Sequence, residues 1–81
     1  MYSVNDQKAN ILNNIGNAYR NLHDLNKALN YYQQALSLVN HDKHQLLRIY
    51  GNIGLTYKLL GDFELALDYF QSALDYAIEL G

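Results

Sequence analysis

Cysteine and proline are both missing from the 81 residues. Without cysteine no disulfide can reinforce the fold and no thiolate can hold a metal. Together with an N-terminus that has no signal character, this fits an intracellular, cytoplasmic protein. Without proline, nothing in the chain obliges a helix to kink or stop. Glycine is sparse, at five residues, so few points can take a left-handed turn without strain. No apolar run approaches the roughly 20 residues that a membrane-crossing helix needs, and no membrane partner is expected. Six Lys and Arg stand against eight Asp and Glu, for a net charge of −2. The cations are scattered rather than clustered, which argues against nucleic acid as a partner. A chain of this length makes one small domain, here residues 1–81, with a thin stability margin.

What is present is repetition. Asn14-Ile15-Gly16, Tyr19, Leu22, Asp24, Ala28-Leu29, Tyr31, Gln33 and Ala35-Leu36 recur 38 residues later as Asn52-Ile53-Gly54, Tyr57, Leu60, Asp62, Ala66-Leu67, Tyr69, Gln71 and Ala73-Leu74. Aligning 14–39 with 52–77 gives twelve identities in 26 positions without a gap. A unit that stacks on a copy of itself builds an extended surface, so function belongs on a surface rather than in a catalytic pocket. The charge is also uneven. Residues 1–58 hold all six basic groups against Asp6, Asp24 and Asp42, net +3, whereas 59–81 hold five acidic groups and no basic one, net −5.

Apolar residues at alternating steps of three and four predict helix throughout. Leu12, Ile15, Tyr19 and Leu22 make one stripe, and Leu46, Tyr50, Ile53, Tyr57 and Leu60 another. Leu25, Ala28, Leu29, Tyr32, Ala35 and Leu36 make the next, matched by Phe63, Ala66, Leu67, Phe70, Ala73 and Leu74. The parse is four helices, about 4–22, 25–40, 42–60 and 63–80, in two antiparallel pairs with the second rotated on the first. Asp24 and Asp62 are placed to cap the second and fourth helices. Gly61 suits a left-handed helix end, and His23 holds the same place in the first copy. Asn40 can end the second helix, Asp42 with Gln45 can open the third as a capping box, and Ser3 with Asp6 can cap the first.

Gly16, Tyr19, Ala28, Tyr32 and Ala35, repeated as Gly54, Tyr57, Ala66, Phe70 and Ala73, resemble the tetratricopeptide repeat. The resemblance covers nearly the whole chain, as units of about 4–41 and 42–81, and implies an all-α helical-hairpin fold, a segment of an α-α superhelix. Small residues at Gly16, Gly54, Ala28 and Ala66 let paired helices approach while Tyr32 or Phe70 fills the space beside them. The usual unit is roughly 34 residues and is commonly followed by proline. The longer period here is expected to add about one turn, or roughly 6 Å, to the helices flanking Asn40. Long units of this kind resemble those of spindle-orientation adaptors and bacterial peptide-sensing regulators, which implies a peptide-binding or scaffolding class.

An asparagine row runs along the first helix: Asn10, Asn13, Asn14, Asn17 and Asn21. By the resemblance, these occupy groove-facing positions, where primary amides can donate to and accept from a peptide backbone without demanding charge. The matching face of the second unit, Arg48, Asn52, Leu55 and Lys58, followed by Leu59, is more apolar and basic. A protein or peptide partner with an acidic and an apolar group is therefore expected. The carboxylate clamp of chaperone cofactors wants a Lys where Asn13 stands, which disfavours that ligand. A solubility-driven polar face is the plain alternative for the whole row.

No metal site or cofactor is expected. His41 and His44 flank Asp42 but lack further ligands and read as solvated loop residues. Eight tyrosines without a basic groove do not make a base-stacking surface, and several are explained by packing, though Tyr31 and Tyr69 are not. No catalytic motif is visible, so the chain is not expected to be an enzyme. The alternative to peptide binding is a segment of a longer array or a self-associating unit. Leu67, Leu74 and Ala77, with Tyr76 and Ile78 nearby, have no following helix to bury them, which predicts a homodimer through the fourth helix. Helix exchange, with the turn near Asn40 straightened into a continuous helix, is one route to it.

Overall fold

The computed structural model describes residues 4–81. Four helices follow one another, α1 (Val4–Asn21), α2 (Leu25–Leu38), α3 (Lys43–Leu60) and α4 (Phe63–Leu80). The expected cap between Ser3 and Asp6 lies outside the described residues, because Ser3 does. The other expected boundaries hold within two residues, and the exception in kind is the end of α2. It does not gain a turn towards Asn40. Val39 is already extended, at φ −80° and ψ 126°, with its N–H donating to the Leu36 carbonyl. The long unit is therefore accommodated on this side by a non-helical connection over 39–42 rather than by a longer α2.

Each helix junction follows from local chemistry. Asp24, Asp42 and Asp62 precede α2, α3 and α4, and their side chains accept the N–H groups of Lys27, Gln45 and Leu65. Each carboxylate satisfies a donor that has no partner inside the helix and sits at the positive end of the helix dipole. Within each pair the preceding helix closes with two crossed hydrogen bonds. His23 and Gly61 donate to the carbonyls of Arg20 and Lys58, while Asp24 and Asp62 donate to those of Tyr19 and Tyr57. This Schellman closure requires a left-handed residue between. His23 has φ 63° and Gly61 φ 86°, as the sequence suggests. The capping box at Asp42 is only half formed. Gln45 does not reach back to Asp42, but is buried and donates from Nε2 to the Asp6 carbonyl of α1 at 2.9 Å. A tertiary partner wins over the local one because Gln45 lies on the flank of α3 that α1 covers.

The pairs α1–α2 and α3–α4 pack most extensively, α2 also packs on α3, and α1 meets α3 along a narrower seam. Ala9, Ala28, Tyr32, Ala35, Ile49 and Ile53 form the buried cluster. Close approach within each pair rests on glycine. A Cβ on Gly16 would stand 2.6 Å from Cε1 of Tyr32, and one on Gly54 2.8 Å from Cδ1 of Phe70. Leu22, expected on the packing stripe of α1, is instead exposed, since its flank of α1 faces away from α2 and α3.

The unexplained tyrosines are ring-stacking residues. Tyr31 stacks on Tyr19 with centroids 5.4 Å apart. In the second pair Tyr69 stacks on Tyr57 at 5.5 Å and meets Tyr50 at 6.0 Å, and Tyr50 stacks on Tyr76 at 5.7 Å. The two-ring stack becomes a four-ring ladder because Tyr50 and Tyr76 stand where the first copy has Leu12 and Leu38. The ladder lies along the α3–α4 pair, and a 3.0 Å ion pair joins Lys43 at the start of α3 to Glu79 at the end of α4, as an antiparallel pair requires.

Candidate functional site

The seam between α1 and α3 is polar. Gln45 donates to the carbonyl of Asp6, and Asn52 donates from Nδ2 to Oδ1 of Asn13 at 3.0 Å. Both bonds link residues 39 apart, so α1 and α3 run parallel, side by side. Arg20 closes the seam, its Nη1 donating to Oδ1 of Asn52 at 3.1 Å. The amide of Asn52 is thus used on both sides, as acceptor and as donor. Its backbone carbonyl accepts from Oγ1 of the buried Thr56 at 2.7 Å.

Beside the seam lies the face proposed from sequence. Asn10 and Asn21 of α1 and Arg48, Leu55 and Lys58 of α3 are exposed on it, while Asn14 is exposed on the flank of α1 turned away from α3. Asn17 is half-buried, and its Oδ1 accepts the Tyr32 hydroxyl at 2.6 Å, leaving its NH₂ group for other partners. Burial pushes the Tyr32 hydroxyl above its ordinary pKa, with the Arg20 charge and the Thr56 hydroxyl pulling the other way. Tyr32 therefore stays a neutral donor well above pH 7, and Asn17 is held in one orientation.

One member of the row and one residue of the matching face are corrected. Asn13 is buried, and Asn52 is half-buried and hydrogen-bonded, so neither is a free amide. Asn13 sits one step round the helix from the exposed row, where α3 covers it. Asn52 lies on the flank of α3 turned towards α1.

Between the first turns of α1 and α3 the face deepens into a cavity of about 230 Å³ lined by Asp6, Gln7, Asn10, Gln45 and Arg48. Oε1 of Gln45 is buried there without a hydrogen-bond partner among the described residues. Chemically, this end offers the Arg48 cation beside the Asp6 carboxylate, primary amides and an acceptor in want of a donor, while Leu55 and the exposed Leu59 offer apolar contact further along.

Of the residues expected to self-associate, Leu67, Leu74 and Ile78 are exposed on α4, whereas Tyr76 and Ala77 are half-buried. Tyr76 is engaged in the ring ladder. Sequence reasoning missed Arg20, Gln45 and Thr56 as seam residues. One signal was available: Gln7 and Ile11 are identical to Gln45 and Ile49 at the same offset of 38, upstream of the aligned stretch.

The tetratricopeptide repeat family model matches residues 7–79. Among curated proteins and among solved structures no significant match is found. No helix among the described residues is long and apolar enough to cross a membrane.

Proposed function

The chain belongs to the tetratricopeptide repeat family, whose members mediate protein–protein interaction, and on that premise we propose that it holds an extended partner segment along the face shared by α1 and α3. The observation that supports this reading is the cluster of Asn10, Asn21, Arg48, Leu55 and Lys58, all exposed on neighbouring parallel helices, with Asn10 and Arg48 lining the cavity at Gln45. Asn14 flanks this set, and Asn17 contributes its free NH₂ group. Asn13 and Asn52 contribute indirectly, by fixing the spacing of the two helices. The ligand class is a peptide with an acidic group for Arg48 or Lys58 and an apolar side chain for Leu55. The site carries out recognition rather than catalysis.

An array of immobilised peptides varying in acidic and apolar content, read with the labelled protein, tests this. Acidic-apolar sequences should be retained, and Arg48→Ala with Leu55→Ala should each reduce retention. Retention that follows basic content, or ignores both substitutions, counts against the reading.

A second reading, favoured by the exposure of Leu67, Leu74 and Ile78, is that α4 serves self-association or contact with a further repeat. In that reading Tyr76 and Ala77 border the contact from half-buried positions.

A further inference from the structure

We propose that a second copy of this chain docks head to tail, the exposed flank of its α1 seating on the α3–α4 end of the first copy. This rests on the self-association reading above and specifies its geometry. The template is the chain's own internal interface. There the flank of α3 carrying Gln45, Ile49, Asn52, Ile53, Thr56 and Leu60 faces the first repeat. At the same offset, α1 and the turn after it carry Gln7, Ile11, Asn14, Ile15, Ala18 and Leu22, identical at five of the six positions. The two flanks differ in what covers them. Ile49 is 1% exposed, whereas Ile11 is 57% exposed. Leu22 is 75% exposed against 44% for Leu60.

The receiving surface is likewise duplicated and uncovered. An apolar cavity of about 310 Å³ is lined by Lys58, Phe63, Ala66, Leu67 and Phe70. Their counterparts are Arg20, Leu25, Ala28, Leu29 and Tyr32, the part of the first repeat that receives α3. Tyr32 is 0% exposed beneath α3. Phe70 is 36% exposed and Leu67 68%. Seating Ala18 and Leu22 of a second copy in that cavity puts them where Thr56 and Leu60 stand in the internal interface, with Phe63 and Phe70 in place of Leu25 and Tyr32.

The polar seam can repeat as well. Asn14 of the incoming copy takes the place of Asn52, and Lys58 takes that of Arg20, as donor to the asparagine Oδ1. Gly51 stands where Asn13 does and leaves open space, so one hydrogen bond of the seam is lost and the contact is weaker than the internal one. Net charge favours the arrangement, since the receiving α3–α4 end holds five acidic groups against three basic ones, net −2, and α1 of the incoming copy holds Lys8 and Arg20 against Asp6, net +1. The surfaces are different on the two partners, so the contact is heterologous and does not close on itself in a dimer.

Sedimentation of the 81-residue chain over micromolar to millimolar concentration, with Ile11→Glu and Leu67→Glu, tests this. The wild-type mass should rise past the dimer without a plateau. Each variant alone should stay monomeric, yet an equimolar mixture should form a species of twice the monomer mass and stop, because each supplies the surface the other lacks. Both changes fall on exposed side chains, and circular dichroism checks that helicity survives. Ala18→Glu and Leu74→Glu provide a second pair if either fails to fold. Self-dimerisation of Ile11→Glu on its own would overturn the head-to-tail geometry while leaving contact through α4 standing. A wild-type chain that is monomeric throughout overturns both.

Discussion

Asn52 and Asn13 share a hydrogen bond of 3.0 Å across the seam of two parallel helices, and Asn13 is buried. Removing the Asn52 amide leaves Oδ1 of Asn13 unsatisfied and takes the acceptor from Arg20. Asn52→Ala should therefore cost about 1–3 kcal/mol. Asn14, the same residue type one repeat earlier, is exposed, and Asn14→Ala should stay within about 0.5 kcal/mol. Urea denaturation of the two variants gives the comparison; equal midpoints would show that the seam contributes nothing.

Three glycines in helices should respond differently to alanine. At Gly16 the new Cβ meets the ring of Tyr32, which is buried and tethered through its hydroxyl to Asn17. Gly16→Ala should cost about 1–3 kcal/mol from overpacking, more than the gain of about 1 kcal/mol in helix propensity. At Gly54 the obstacles are the ring of Phe70 at 2.8 Å and the Ala66 carbonyl at 3.2 Å, so Gly54→Ala should also cost about 1–3 kcal/mol, while a bulky residue there should unfold the domain. At Gly51 nothing lies within 4 Å, and Gly51→Ala should stabilise by up to about 1 kcal/mol. A melting series that ranks Gly51→Ala with Gly16→Ala would refute the close-approach argument.

The hairpin turns make the reciprocal prediction. His23 holds φ 63° where Gly61 holds 86°. His23→Gly should raise stability by about 0.5–1 kcal/mol, and Gly61→Ala should lower it by about 1–2 kcal/mol. Thermal melts that move in the opposite directions would sink this account of the Schellman closures.

These features were legible because they are local. Asp before an apolar run, Gly or His at a helix end, and a small residue four turns of sequence away from an aromatic each carry their reason within one hairpin. The polar residues were harder. Groove and seam occupy neighbouring strips of α1, separated by a rotation smaller than one residue step of about 100°, so spacing alone could not assign Asn13 to one rather than the other. Asn52 misled for a further reason. A residue repeated at the unit period, as Asn14 and Asn52 are, can mark the surface where units meet as well as a ligand contact. Gln45 was assigned to a local capping box because sequence shows the near partner, Asp42, and hides the distant Asp6 carbonyl.

Alkaline pH probes the tyrosine ladder. Burial raises Tyr50 and Tyr57 above their ordinary value, with neighbouring Tyr69 and, for Tyr50, Tyr76 adding to it. A phenol whose native pKa is raised contributes its full stability below the unfolded value of about 10, and that contribution is lost as pH rises through the native value. The urea midpoint should therefore fall above about pH 10, and Tyr50→Phe should flatten the fall. A pH-independent midpoint across that range would contradict the coupling.

The central claim is that the face shared by α1 and α3 holds the partner segment. Its most direct test is a titration of the ¹⁵N-labelled chain with the peptide most strongly retained on the array, followed amide by amide. The account predicts shifts concentrated at Asn10, Asn17, Asn21, Arg48, Leu55 and Lys58, including the asparagine side-chain amides, with the Tyr50, Tyr69 and Tyr76 ladder unmoved. Shifts concentrated on that ladder, with the α1–α3 face silent, would contradict it.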